Sequence, residues 1–166
     1  MLISFGGTDS TNETRKVLKS IKFLRNEKLE RVYVIFGGAN KNEIKKLCQP
    51  IPNVKLHSNV KNIAEFMYNS DFAIGAGGST IWERLCLGLP TYVSVVALHQ
   101  KETTDALAKK ECLINMGMAD IITVKRYAKI LDNIDKKKLY RISKNSLKIV
   151  DGKGTTRVAN HIRKLN

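Results

Sequence analysis

Short apolar runs alternate with amphipathic segments along the whole chain, and this alternation limits the fold more than any other feature. The candidate strands are Leu2–Phe5, Arg31–Phe36, Val54–His57, Phe72–Ala76, Thr91–Val95 and Ile121–Thr123. The candidate helices are Asn12–Arg25, Lys41–Leu47, Ile63–Asn69, Ser79–Leu87, Lys101–Glu111, Lys125–Leu131, Lys136–Val150 and Thr155–Lys164. Strands that alternate with helices of this length favour βαβ units and a parallel sheet. Because crossovers between parallel strands are right-handed, we predict an α/β fold with a doubly wound, Rossmann-like sheet.

The length and charge of the chain define one domain with a basic end. Its 166 residues suit a single domain, predicted over residues 1–166, and the tail from 125 to 166 is helical and basic. This tail holds 13 Lys and Arg against 3 Asp and Glu, within a formal net charge of +14. Its aromatic residues are only Tyr127 and Tyr140, too few to stack bases, so we expect no nucleic-acid partner. A solvated face, an acidic partner domain or peripheral contact with an acidic membrane surface stays open.

The apolar runs and the cysteines indicate the cellular compartment of the protein. No apolar run approaches the roughly 20 residues of a membrane helix, and Met1–Phe5 does not resemble the start of a signal peptide. The three cysteines, Cys48, Cys86 and Cys112, show no C-x-x-C spacing and cannot all pair within one chain. We expect buried, reduced thiols in a cytoplasmic protein.

Two glycine turns are the candidate binding elements. Gly6-Gly7-Thr8 follows the first strand, and Gly77-Gly78-Ser79-Thr80 follows the fourth. In the commonest doubly wound order, 3-2-1-4-5-6, the crevice between these two strands is the expected ligand site. Free backbone N–H groups there suit phosphate. Glu83 falls one turn further along the helix, where its carboxylate can accept hydrogen bonds from a sugar diol, so the pattern indicates a nucleotide-sugar site.

Other nucleotide and catalytic motifs fit poorly. The G-x-G-x-x-G fingerprint would need glycine at Thr80, and Gly37-Gly38 stands where a ribose-binding acid is expected. No G-K-[ST] occurs, so neither nicotinamide chemistry nor ATP hydrolysis is favoured. No triad or close carboxylate pair is recognisable, so the sequence leaves the catalytic residues unknown and indicates binding more clearly than catalysis.

The histidines favour sugar contact rather than metal binding. His57, His99 and His161 are scattered, without the spacing of metal ligands, and we expect neither a metal nor another cofactor. His99-Gln100 follows the fifth strand and faces the same crevice. Both are candidate sugar-binding residues.

Three blocks occur in an order that points to a known family: Ile3–Asp9, Ile74–Pro90, and Asp151–Gly154 with Arg157-Val158. Together they resemble the carboxyl-terminal half of the UDP-2,4-diacetamido-2,4,6-trideoxy-β-L-altropyranose hydrolases of pseudaminic acid synthesis. Those enzymes are relatives of the N-acetylglucosaminyltransferase that makes lipid II, and share its two-domain GT-B fold. The resemblance spans nearly the whole chain, and its central block is the specific one.

The resemblance implies a role for each matching position. Glu83 would bind the ribose hydroxyls, while the backbone of Val60 would meet the uracil. The pyrophosphate would be held by Gly77, Gly78, Ser79 and Thr80, with Gly7 and Thr8 opposite. Gln100 would lie near the sugar, and His99 stands where the family commonly has asparagine.

The resemblance also implies what the chain does. The family's amino-terminal half carries a glycine-rich loop and a histidine that helps to activate water, and this chain matches the other half. We expect a UDP-binding half of a UDP-sugar hydrolase, inactive without an amino-terminal partner half. A half or subunit of a UDP-sugar glycosyltransferase, or a non-catalytic partner subunit of one, are the alternatives.

Overall fold

The computed structural model describes residues 1–24 and 29–165, and these residues build one parallel sheet. Its six strands lie in the order β3-β2-β1-β4-β5-β6, which is the predicted order. The strands are β1 (Leu2–Ser4), β2 (Val32–Ile35), β3 (Val54–His57), β4 (Ala73–Ala76), β5 (Thr91–Val95) and β6 (Ile114–Met118). The Rossmann-like prediction is therefore confirmed.

Each predicted helix has a counterpart in the structure. The helices are α1 (Glu13–Ile21), α2 (Lys41–Cys48), α3 (Ile63–Tyr68), α4 (Thr80–Cys86), α5 (Lys101–Lys109), α6 (Val124–Asp132), α7 (Lys136–Ser146) and α8 (Gly154–Arg163). Short 3₁₀ helices cover Leu98–Gln100 and Ala119–Ile121. The predicted end of the first helix, Arg25, lies outside the described residues. No helix in ranges 1–24 and 29–165 is long and apolar enough to span a membrane.

The last strand lies elsewhere than predicted. The prediction of Ile121–Thr123 is wrong, because β6 runs from Ile114 to Met118 and Ile121 belongs to a 3₁₀ turn in which it is 63% exposed. The β5–β6 register shifts between Val93 and Ser94, and Gly117 has a φ of 94°. A bulge of this kind breaks the alternation of side chains on which strand prediction rests.

The central strands are buried on both faces, as parallel strands usually are. Ile3, Val34 and Ile74 are fully buried, each from a different strand, and pack into the main core with Val17 and Leu18 of α1. Helix α8 contributes no buried residue. Of the cysteines, Cys48 and Cys112 are buried, Cys86 is half-buried, and all three are free.

Gly75, in the middle of β4, has no room for a side chain. A Cβ at this position would overlap the carbonyl oxygen of Ser4 on β1 and the guanidinium of Arg84 on α4. The oxygen belongs to a strand paired with β4, so it cannot move aside without disturbing the sheet. Glycine therefore permits the close approach of β1, β4 and α4.

We predict that Gly75→Ala lowers the free energy of unfolding by about 3 kcal/mol or more, since overpacking against backbone is costly. Gly78→Ala is the matched control, because its Cβ would meet only Gln100 Nε2, at 3.7 Å. Urea unfolding of both variants measures the difference. Equal stabilities would contradict the close packing described above.

Candidate functional site

A crevice opens at the carboxyl edge of the sheet, between β1 and β4. Its volume is about 290 Å³, and both glycine turns contribute to its walls. The residues that line it are Phe5, Gly6, Gly7, Thr8, Asp9, Ser10, Thr11, Ala76, Gly78, Ser79, Thr80, Val96, Ala97 and Gln100. A smaller cavity of about 220 Å³ lies near Ser70 and Leu87–Pro90, and none of the predicted site residues lines it.

The crevice brings together six of the predicted site residues. Gly7 and Thr8 lie on one wall, facing Gly78, Ser79 and Thr80 across the gap, and Gln100 closes the end beyond β5. These residues come from three loops that are far apart in the chain. The sheet order alone makes them neighbours.

Gly77 has a packing role in the structure. It is buried, and a Cβ there would lie 2.6 Å from Thr104 Oγ1 on α5. Its missing side chain lets the turn lie close against α5. The assignment of Gly77 to the diphosphate site remains a prediction.

Three further predicted residues lie outside the lining of this crevice. Glu83 is on the exposed side of α4, His99 is exposed in the 3₁₀ helix, and Val60 is half-buried in the loop after β3, an edge strand. A ligand that fills the crevice must extend beyond it to meet Glu83 or Val60. Their roles stay predictions.

Gln100 is fixed from both ends. Its side-chain Oε1 accepts a hydrogen bond from the backbone N of Val96 at 3.2 Å, and its backbone carbonyl accepts one from Thr104 Oγ1 at 2.8 Å. With the oxygen committed to the loop, the amide nitrogen of Gln100 is free to face Gly78, 3.7 Å from where a Cβ of that glycine would lie. The side chain therefore offers the crevice a donor.

Asp9 is a wall residue that sequence reasoning did not assign. Its carboxylate accepts hydrogen bonds from the backbone N of Glu13 at 2.9 Å and of Thr14 at 3.0 Å, and so caps α1. Asn12, directly before the helix, makes no side-chain cap. Because Asp9 occupies these N–H groups, the start of α1 is not available to an anion. Burial raises the pKa of Asp9, and its hydrogen bonds to Thr14 and Glu13 oppose the rise.

A buried polar network lies behind the crevice. Glu13 is fully buried and accepts hydrogen bonds from Lys16 Nζ at 2.6 Å and from the Tyr127 hydroxyl at 2.5 Å. Ser94, near the end of β5, bonds to the same hydroxyl at 2.6 Å. Burial raises the pKa of Glu13, and the bonds from Lys16 and Tyr127 oppose the rise. Burial, and then the adjacent Glu13, also raise the pKa of Tyr127.

Arg84 lies directly behind the second glycine turn. It is 1% exposed, and it donates to the carbonyl oxygens of Ala76 and Thr80 and to Thr80 Oγ1. The sequence predictions gave Arg84 no binding role, because the sequence of so short a helix does not reveal which side chains point inward. An arginine next to a glycine-rich turn was the available signal.

A metal is not part of the chemistry that these residues offer. Within the part of the chain that the structure describes, no three His, Cys, Asp or Glu side chains come close enough together to hold one. The crevice instead presents backbone N–H groups, hydroxyls and an amide, which suit an anionic ligand with polar substituents.

Comparison with known proteins gives one family. The model of the glycosyltransferase family 28 C-terminal domain matches residues 1–161. The spore coat polysaccharide biosynthesis protein SpsG of Bacillus subtilis is 25% identical over 162 residues, covering 95% of this chain and 48% of that protein.

Solved structures share the fold. MurG of Acinetobacter baumannii superposes with a TM-score of 0.77 at 15% identity, covering 98% of this chain and 51% of MurG. MnaA of Staphylococcus aureus, solved with UDP, gives a TM-score of 0.69 at 15% identity, covering 98% of this chain and 44% of MnaA. The chain thus spans about half the length of these relatives.

We predict that Tyr127→Phe lowers the free energy of unfolding by about 1–3 kcal/mol, because it leaves the buried Glu13 carboxylate without one donor. The loss is largest where Glu13 is ionised. It shrinks as the pH falls through the raised folded pKa of Glu13, since the protonated group no longer needs that donor. Urea unfolding between pH 5 and pH 8 measures this dependence.

Tyr140→Phe is the matched control, since Tyr140 is 66% exposed on α7. It should change stability little at any pH. A Tyr127→Phe cost that is independent of pH would contradict the link to Glu13.

Proposed function

The chain belongs to the glycosyltransferase family 28 C-terminal domain family, and on that premise we propose that its crevice binds the nucleotide of a UDP-sugar within a GT-B enzyme. One observation carries the proposal: two glycine turns, from β1 and β4, meet across a cavity of about 290 Å³ at the point where the strand order reverses. This is where open α/β sheets bind their ligands. The structure of MnaA, which shares this fold, was solved with UDP.

The diphosphate fits the crevice best. Gly7 and Thr8 on one wall, and Gly78, Ser79 and Thr80 on the other, offer backbone N–H groups and hydroxyls without bulky side chains. The nucleoside then extends out over α4, toward Glu83 for the ribose and toward Val60 for the uracil. The sugar lies on the side of Gln100, with His99 beyond it.

We propose a UDP-sugar hydrolase that acts on an amino-deoxy sugar for the synthesis of nonulosonic acids and surface glycans. The central sequence block supports this reading. A glycosyltransferase fits the comparisons at least as well, since the matching family is of that kind. In both cases UDP departs, and amides around its pyrophosphate stabilise the charge that develops there. The attacking group would come from an amino-terminal GT-B half.

We propose that the basic tail, residues 125 to 166, binds an acidic surface outside this half. The exposed side of α7 carries Lys136, Lys137, Lys138, Arg141 and Lys144. We propose that this face meets an acidic partner or the head groups of an acidic membrane. A non-catalytic partner subunit, the remaining alternative, would use the same face to dock.

We predict that the chain binds UDP and that Glu83→Ala weakens binding by about 1–3 kcal/mol, the scale for charged hydrogen bonds left unmade. The same substitution should reduce the preference for UDP over 2′-deoxy-UDP, because the carboxylate is proposed to hold the ribose diol. Trp82, the only tryptophan, is 45% exposed next to Glu83. Its fluorescence, together with calorimetry, reports the binding.

Glu30→Ala is the matched control for this prediction. Glu30 is exposed just before β2, at the opposite edge of the sheet from the crevice. Its loss should leave both affinities unchanged. A wild-type chain that shows no UDP binding at millimolar concentration would overturn the proposed function.

The reaction itself can be tested with both halves together. We predict that this chain alone releases no UDP from UDP-2,4-diacetamido-2,4,6-trideoxy-β-L-altropyranose. Adding an amino-terminal GT-B half should allow the release. In water enriched with ¹⁸O, a hydrolase places the label on the anomeric hydroxyl of the free sugar. Label-free sugar linked to an added acceptor would identify a glycosyltransferase instead.

A further inference from the structure

Arg84 is a buried cation without an anionic partner. Its side chain is 1% exposed, and no carboxylate of the described residues lies within ion-pair distance of it. Its Nη1 has no hydrogen-bond partner within the described ranges 1–24 and 29–165. Buried charges are normally paired, because an isolated one is costly to desolvate. Among the described residues, hydrogen bonds to uncharged groups are what compensate this charge.

Every hydrogen bond that the Arg84 guanidinium makes to the described residues goes to the crevice wall. Nε donates to the carbonyl of Thr80 at 3.1 Å, and Nη2 donates to the carbonyl of Ala76 at 2.5 Å and to Thr80 Oγ1 at 3.2 Å. Ala76 and Thr80 both line the crevice. The guanidinium is thus one residue behind the surface that a ligand would touch.

The wall itself carries no positive side chain. Among the fourteen described residues that line the crevice there is no Lys, Arg or His, and Asp9 is the charged residue there. Asp9 also occupies the first N–H groups of α1. A diphosphate in this crevice would therefore meet the Asp9 carboxylate and no lining cation. A positive charge of this chain that offsets the carboxylate would have to lie behind the wall.

Arg84 keeps its charge at neutral pH. Burial lowers its pKa to about 10, and the neighbouring Glu83 carboxylate opposes the shift. The three hydrogen bonds of Arg84 hold its side chain in place, and its Nη1 lies close against Gly75, 2.4 Å from where a Cβ of that glycine would be. A fixed positive charge in a low-dielectric setting acts over several ångströms with little screening.

We propose that Arg84 is a positioning residue for the diphosphate: its buried charge supplies the positive potential of the crevice and its contacts orient Thr80. This inference rests on the proposed function. Because Nη2 donates to Thr80 Oγ1, a lone pair of that oxygen is occupied and its proton is free for an anionic ligand. The same fork holds the carbonyls of Ala76 and Thr80 and so fixes the two ends of the turn between them.

The test compares UDP, which carries the diphosphate, with uridine, which lacks it. Calorimetry on the wild type, Arg84→Met, Arg84→Lys and Arg141→Gln gives a UDP-to-uridine affinity ratio for each. Arg141 is the control, since it is an exposed arginine on α7 that pairs with Glu111 at 3.0 Å. A merely structural role of Arg84 would weaken both ligands together and leave the ratio unchanged.

We expect Arg84→Met to lower the ratio about tenfold or more, while uridine affinity stays within about twofold of the wild type. Arg141→Gln should change neither. An Arg84→Met chain that folds, binds uridine and keeps the wild-type ratio would overturn the role of Arg84 alone. A wild type that binds neither ligand would overturn the proposed function itself.

Arg84→Lys decides the matter even if the methionine variant does not fold. A buried lysine loses its proton at a lower pH than arginine, because its ordinary pKa is lower and burial lowers it further. The ratio for Arg84→Lys should therefore fall between pH 7 and pH 9, while the wild-type ratio stays level. A level ratio in both proteins over this range would contradict the inference.

Discussion

The parallel pairing of β1 with β4 is the constraint on which the site depends. Residues about seventy positions apart in sequence are joined by the register Leu2↔Ala73, Ile3↔Ile74 and Ser4↔Gly75. Both strands then end at the same edge, so their glycine turns face each other. The close approach at Gly75 also admits the guanidinium of Arg84 from α4. A single small residue therefore permits both the close approach of the two strands and the position of the charge behind the crevice.

A second set of contacts joins the helix that follows the first glycine turn to β5 and α6. Glu13 on α1, Ser94 on β5 and Tyr127 on α6 share one chain of hydrogen bonds, and Lys16 ties it to the carbonyl of Ala119. Fully satisfied buried networks specify one arrangement of their elements. This network fixes α1 against α6, and with it the loop before α1 that carries Gly7 and Thr8.

Much of the fold and part of the site could be predicted from the sequence. The positions of the helices and strands follow from the alternation of amphipathic and apolar segments, which is a local pattern in the sequence. The strand order and the meeting of the glycine turns then follow from the usual topology of doubly wound parallel sheets. The bulge near Gly117 leaves no such pattern in the sequence, so the predicted position of the last strand is wrong. The inward turn of Arg84 is a tertiary event that depends on the room left at Gly75. The cap by Asp9 depends on a loop conformation that brings its carboxylate to helix N–H groups that lack an acceptor. Glu83 is assigned from its place one turn into α4 as well as by resemblance, and Val60 by resemblance alone, so both roles stay predictions.

The position of the charge, behind the wall rather than on it, bears on the proposed reaction. A cation on the surface would pair directly with the diphosphate, whereas a guanidinium behind the wall acts on it only through its field. The attraction of that field for the pyrophosphate grows as negative charge accumulates there during the departure of UDP. Interactions that strengthen along the reaction lower its barrier, whereas equal binding of both states does not. Under the proposed function, the charge of Arg84 behind this wall therefore favours departing UDP over the sugar-linked form.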